Sequence, residues 1–263
     1  MRPVIACALC CLELHVFGGS ALGADMGMTV SPEAQKVTTE NGWEFTIAPY
    51  FWAPDLSGDV GVFGLPTVGV DASFSDLFEH LDFAAMGIGE ARYGSYSVFV
   101  DLMYTKLSGD TGTPLGILAT QAGVDAETFA GTIGAGYTVL EGSRGKLDIV
   151  GAARVWSVDT TVFVSGGLLG SRSRSDGDTW IDALGGFRAD YSITPRVFLA
   201  GWGLVGGGAA DIDWDVAATI GYKFNDRISS VLGYRALGVD YSNDGFVFDA
   251  VQQGPILGLV VHF

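Results

Sequence analysis

The chain has 263 residues, with 39 glycines, eight prolines and 48% hydrophobic residues, yet no apolar run approaches the ~20 residues that a membrane-crossing helix needs. A helical membrane protein is thereby excluded, as is collagen, because the glycines keep no three-residue period. Acidic residues outnumber basic ones 30 to 14, for a net charge of −16, which argues against a nucleic-acid partner because phosphate binding needs clustered Lys and Arg.

The first 24 residues read as an export signal. Arg2 supplies the positive start, Val4 to Leu14 the apolar stretch, and Ala21 to Ala24 a small-residue site with cleavage expected after Gly23 or Ala24. Cys7, Cys10 and Cys11 all lie within it. Val4-Ile5-Ala6-Cys7 is similar to a lipoprotein box, but six residues before the cysteine are too few for a signal, so lipidation is set aside. Without that segment the chain has no cysteine, hence neither a disulfide framework nor a thiolate metal site. Residues 25–41 are polar and unpatterned and read as a periplasmic lead-in, leaving 42–263 for the folded body.

From Gly42 onward the pattern is period two. Trp43, Phe45, Ile47 and Phe51 alternate with Glu44, Thr46 and Ala48. The clearest strand is Tyr96 to Thr105, with Tyr96, Val98, Val100, Leu102 and Tyr104 on one face and Ser97, Phe99, Asp101, Met103 and Thr105 on the other. Eight steps from Tyr96 to Tyr104, tilted near 40°, cover roughly 20 Å, close to the apolar band of a transmembrane barrel. The same alternation recurs in Phe129 to Val139, Leu147 to Val155, Ile181 to Tyr191 and Trp214 to Tyr222. Pure hydrocarbon opposite a face bearing both signs of charge is what a lipid exterior and a polar lumen require.

Short turns are expected at Tyr93 to Tyr96, Leu140 to Lys146, Ile193 to Arg196 and Asn225 to Arg227, and longer polar links at Ser108 to Val124, Ser165 to Asp178 and Tyr241 to Gly245. That asymmetry points the short side to the periplasm. The reading is all-β: a transmembrane antiparallel up-and-down barrel of ten strands, with twelve or eight as alternatives. The count turns on Pro54 to Asp82, which holds a hairpin signal at Gly64-Leu65-Pro66 and a helix-like Phe74 to Leu81. The chain ends with Leu257, Leu259, Val261 and Phe263 on one face, similar to the signal read by the outer-membrane assembly machinery.

Glu90, Arg92, Asp101, Arg154, Asp182, Arg188, Asp190, Lys223 and Arg235 are the strand positions expected to point inward, either as a salt-bridged plug or as the lining of a narrow channel. Ten strands enclose little space, since water-filled porins need about 16, so a plug or a very narrow channel is favoured over a true diffusion pore, in a protein with a structural or surface-interaction role through which small solutes could pass. An enzyme is not expected. A lipid A deacylase or phospholipase would need a Ser-His pair, and outside the signal only His80, near Ser73, Ser75, Glu79 and Asp82, and His262 are present, with no Gly-x-Ser-x-Gly elbow. Asp211-Ile212-Asp213-Trp214-Asp215 and Asp240, Asn243, Asp244 and Asp249 lack the spacing of a calcium loop and read as a solvated acidic rim, so neither metal nor cofactor is expected.

Several stretches resemble a family of proteobacterial outer-membrane barrels described as opacity-like or porin-like. They include Ala48 to Pro54, Ser73 to Leu77, Leu81 to Gly87, Glu90 to Arg92, Asp101 to Tyr104, Ala153 to Asp159, Gly233 to Arg235, Val239 to Tyr241 and Gly254 to Leu259. One departure is Gly94-Ser95, where the family tends to carry a basic residue. The resemblance implies no established activity and no catalytic residues; the export signal, the barrel pattern and the final strand lead to the expectation of an outer-membrane location, with membrane lipids, lipopolysaccharide and the assembly machinery as partners.

Overall fold

The computed structural model describes residues 42–112, 121–166 and 170–263, so the expected signal segment and lead-in lie outside the described residues. In chain order the elements are β1 (Trp43–Trp52), β2 (Asp55–Gly61), β3 (Val68–Ala72), α1 (Phe74–Glu79), β4 (Leu81–Tyr93), β5 (Tyr96–Gly112) and β6 (Gln121–Gly142). They continue with β7 (Gly145–Ser165), β8 (Arg172–Ser192), β9 (Val197–Gly208), β10 (Ile212–Lys223), β11 (Ile228–Asn243) and β12 (Phe246–His262). β1 and β4 to β12 pair antiparallel in chain order, and β1 pairs with β12, closing a ten-stranded barrel. Closure satisfies the backbone of every wall strand without a free edge, the condition a sheet must meet inside a bilayer.

β2 and β3 add height to this wall without adding staves. Thr46 faces His262 and Asp55 faces Gln253 in one unbroken register along β12, so β2 prolongs β1 past Ala53-Pro54. β3 stands in the same relation to β4, with an insertion between them. From Leu56 to Pro49 the first line covers seven steps, while its partner covers fifteen, from Ala72 to Gly87. The eight surplus residues are looped out as α1, which explains why a hairpin signal and a helix signal coexist in 54–82.

Ser73 caps α1 reciprocally with Asp76: the Ser73 hydroxyl accepts from the Asp76 N–H at 3.3 Å, and the Asp76 carboxylate accepts from the Ser73 N–H at 3.0 Å. The Ser73 hydroxyl and backbone N–H hold the Asp76 carboxyl below the usual carboxylate range. Phe74 packs edge-on against Phe51, at 5.9 Å between ring centres, and its N–H bonds the Asp55 carboxylate at 2.7 Å. At the other end the Ser108 N–H bonds the His80 carbonyl at 2.8 Å. The helix thus bridges β2 to β5 above the seam where β1–β4 pairing stops at Pro49 and Gly87.

The outer surface of the wall is apolar. Val98 and Leu102 are 52% and 50% exposed, whereas Asp101 and Met103 between and beside them are 8% and 7% exposed. Ile133, Ile149, Ile181, Val216, Ile220, Leu232, Leu257 and Leu259 continue this belt, with Trp43, Tyr93, Tyr96, Tyr137, Tyr191 and Tyr222 along its short-turn edge. Charge inside and hydrocarbon outside inverts the soluble pattern and fits a lipid surround with an aromatic girdle. At the opposite edge the outward rows turn polar, with Lys106 against Glu127 at 2.7 Å and Ser157 against Thr179 at 2.9 Å. Asp55, Ser57 and Asp59 of β2 point outward, so the β2–β3 hairpin stands beyond the belt.

The expected long links require correction. β5 and β6 remain paired up to Gly112 and Gln121, and β7 and β8 up to Val164 and Arg172, so most of Ser108 to Val124 and Ser165 to Asp178 is strand. Their polar composition is that of a solvated ladder above the membrane. Residues 113–120 and 167–169 lie outside the described residues. Tyr241 to Gly245 is no long loop either: Asn243 pairs with Phe246 across Asp244 (φ 44°) and Gly245 (φ 88°), the two left-handed residues of a tight hairpin turn.

Candidate functional site

The alternation of the strands places the charged rows inside, and the register aligns them. Asp101, Thr132, Arg154 and Asp182 stand directly opposite one another on β5, β6, β7 and β8. Across the lumen, Asp213 and Asp215 on β10 and Arg235 on β11 complete a central layer, in which Arg154, Arg235, Asp213 and Asp215 are at most 1% exposed.

Arg235 bonds Asp101 at 2.8 Å, Asp215 at 2.7 Å and the Tyr50 hydroxyl at 2.8 Å. The Tyr50 hydroxyl in turn donates to Asp101 at 2.8 Å. Arg154 bonds Asp213 and Asp215, each at 2.6 Å, and Thr132 at 2.8 Å. Trp156 and Trp202 donate their indole N–H to Asp213 and Asp215, both at 2.9 Å. Each nitrogen of the two guanidiniums thereby donates to at least one acceptor, Arg235 Nε to Asp215 at 3.1 Å among them, as a buried charge requires.

A second layer lies toward the short turns. Arg92 binds Glu90 at 3.2 Å and also Asp148, while Thr138 bridges Arg92 and Asp148 at 2.9 and 2.7 Å. Arg188 binds Glu90 at 2.6 Å and lies over the Phe99 ring. Lys146 faces Asp190 at 3.6 Å.

Above the central layer the lumen is hydrocarbon and aromatic. Trp180 stacks on Tyr241 with ring centres 3.9 Å apart and on Trp156 at 5.9 Å, and it contacts Phe246 and Phe248. Leu237, Val239 and Ala250 fill the rest, and Leu56, Val60 and Val62 of the hairpin pack onto the cluster. Between the central and second layers lies a void of about 20 Å3, beside Asp101, Arg154, Trp202 and Asp215, room for about one water. Below it a cavity of about 360 Å3 opens toward the short turns.

Of the nine residues expected inside, Asp101, Arg154 and Arg235 lie in the central layer, and Glu90, Arg92, Arg188 and Asp190 in the second. Asp182 is buried near Asp213 but bonds the Ala210 N–H at 2.8 Å instead of a cation. Lys223 lines the lower cavity with its ammonium 5.6 Å from the Phe198 ring centre. Asp213 and Asp215, read as part of a solvated rim, are instead wholly buried ligands of arginine. Their parity with Thr219 and Lys223 was the signal that outranked the acidic composition. Tyr50, Asp148, Trp156 and Trp202 had no expected role, the aromatic ones because an apolar residue in a strand reads as lipid-facing.

The suggested Ser-His pairing is not assembled. His80 Nδ1 lies 2.8 Å from the Asp76 carbonyl, while Ser73 bonds Ser75 and Asp76 at the opposite end of α1. His262 Nδ1 meets the Thr46 hydroxyl at 3.1 Å. At the terminus Phe263 exchanges backbone bonds with Phe45, and Leu257, Leu259 and Phe263 point outward, so the apolar final strand is also the one that closes the wall.

No protein-family model matches the chain, and no curated protein is a significant sequence match. Among solved structures, the outer membrane protease OmpT of Escherichia coli is similar at 10% identity, covering 88% of this chain and 100% of that one, with a TM-score of 0.51. The attachment invasion locus protein Ail of Yersinia pestis aligns at 12% identity over 85% of this chain and 99% of that one, with a TM-score of 0.36. Neisserial surface protein A aligns at 12% identity over 84% and 97%, also with a TM-score of 0.36. At these identities the OmpT likeness is one of fold, that of a transmembrane β-barrel.

Proposed function

We propose that the chain is an integral outer-membrane barrel of the opacity-like or porin-like kind, closed to solute passage, with a structural or surface-interaction role and no catalytic activity. The observation that carries this reading is the occupied lumen: a buried Arg-Asp layer lies beneath stacked Trp156, Trp180 and Tyr241, which supports a barrel closed by its own side chains. The strands that project beyond the belt, ending in the β2–β3 hairpin, would then be the surface offered to partners outside the cell. Ser73 and His80, the residues nearest to a nucleophile and base, are engaged in holding α1, which supports a non-enzymatic reading.

Fractionation tests the placement. The protein should sediment with outer membranes and resist carbonate or urea extraction, because its apolar belt has no other burial. Recovery in a soluble periplasmic fraction would contradict the proposal, and hydrolysis of phospholipid or lipid A by the purified barrel would replace it with the enzymatic reading.

A further inference from the structure

The lower cavity holds one cation that the ion network leaves alone. Arg92, Lys146, Arg154, Arg188 and Arg235 each face a carboxylate at 3.6 Å or less. Lys223 faces none within ion-pair distance among the described residues, and its ammonium lies 5.6 Å from the centre of the Phe198 ring. Directly across the β10–β11 ladder stands Ser229, 1% exposed, whose hydroxyl has no hydrogen-bond partner among the described residues. Both side chains line the cavity of about 360 Å3. A buried hydroxyl without a partner is costly, and an anion held between the facing positions Lys223 and Ser229 would accept from it and gain a charge-assisted bond from the partly exposed ammonium.

The rest of the cavity is shaped for an apolar body. Phe198 lies across Gly221, where any β-carbon would collide with its ring, so the ring's position is built into the ladder. Trp202, Val231 and Ile256 supply further apolar wall, and the volume falls within the range of small-molecule sites. Glu44 and Asp226 also line the cavity and repel a bare polyanion. We propose that this cavity binds a small organic monoanion, a carboxylate or sulfonate on an apolar or aromatic body, with Lys223 and Ser229 on the charged group and Phe198 and Trp202 against the body. The site opens toward the short turns, so the ligand enters from the periplasmic end, and binding does not depend on whether the lumen conducts.

The test is calorimetric titration of the refolded barrel in lipid nanodiscs with benzoate and benzenesulfonate, beside benzamide, which lacks the charge, and inorganic phosphate, which lacks the body. At least one of the two organic anions should bind saturably, and neither benzamide nor inorganic phosphate should. Lys223→Gln should weaken binding about tenfold or more and Ser229→Ala about threefold, while Lys223→Arg should retain it. Arg172→Gln, on the far outer end, should change nothing. Heat-modifiable migration checks that each variant is folded. If Lys223→Gln fails to refold, the comparison of benzoate with benzamide on the unmodified barrel decides. Absence of saturable binding by both organic anions, equal binding of benzamide, or full affinity in folded Lys223→Gln would overturn the proposal.

Discussion

Removing the Arg235 guanidinium would leave Asp101 and Tyr50 facing each other without a cation, and Asp215 with Arg154 alone. Breaking a buried pair from one side costs about 3–5 kcal/mol, mainly through the charges left behind. Arg235→Leu should therefore destabilise the barrel by that order in urea unfolding in a fixed lipid. Pairing it with Asp101→Asn should cost less than the sum of the single changes, since the two groups touch. Strict additivity would mean that the layer is not a coupled network. The opposite face of β5 supplies the complementary prediction. Val100 points to lipid, where an arginine near mid-bilayer costs about 2–4 kcal/mol, so Val100→Arg should destabilise by an amount in that range. A neutral Val100→Arg would mean that the facing of β5 is inverted. These facings were legible in the sequence because Asp101 lies between Val100 and Leu102 and period two admits one reading. Tyr50 and Trp156 were not legible, since their polar tips serve a lumen that their rings disguise as membrane.

The seam between β1 and β4 shows how an element's length can carry more than its pattern. If α1 is an eight-residue insertion in an otherwise continuous strand, deleting Ser73 to His80 joins Ala72 to Leu81 and restores one register along β1 and β2. The shortened chain should refold to a heat-modifiable barrel with a urea midpoint equal to or above that of the parent. Failure to refold would show that α1 has a packing role beyond roofing the seam. The helix itself was legible from Phe74, Leu77 and Phe78 at helical spacing, and the hairpin from Gly64-Leu65-Pro66. Their relation was not, because it depends on the register that β12 imposes on both β1 and β2. The outer links differ from the expectation for a related reason: Ser173, Ser175 and Asp176 have loop composition, yet they pair with Phe163, Thr161 and Thr160 of β7. Composition reports solvation, and a strand that rises out of a membrane is as solvated as a loop.

The molecule as a whole is layered along its axis: an open vestibule with Lys223 and Ser229, a buried charge layer around Arg154 and Arg235, and an aromatic plug around Trp180 beneath the outer hairpin. A ten-stranded wall was readable from strand count and parity, and so was a charged interior. The plug was not, because its residues come from β7, β8, β11 and β12 and meet only when the outer end of the barrel is filled. Sealing is the property on which the proposed role depends, and single-channel recording of the refolded barrel in a planar bilayer measures it directly. The layered lumen predicts a baseline indistinguishable from bare lipid across the voltage range in which the bilayer holds. A steady, stepwise ohmic conductance from the unmodified barrel would contradict it and identify the central layer as the lining of a pore.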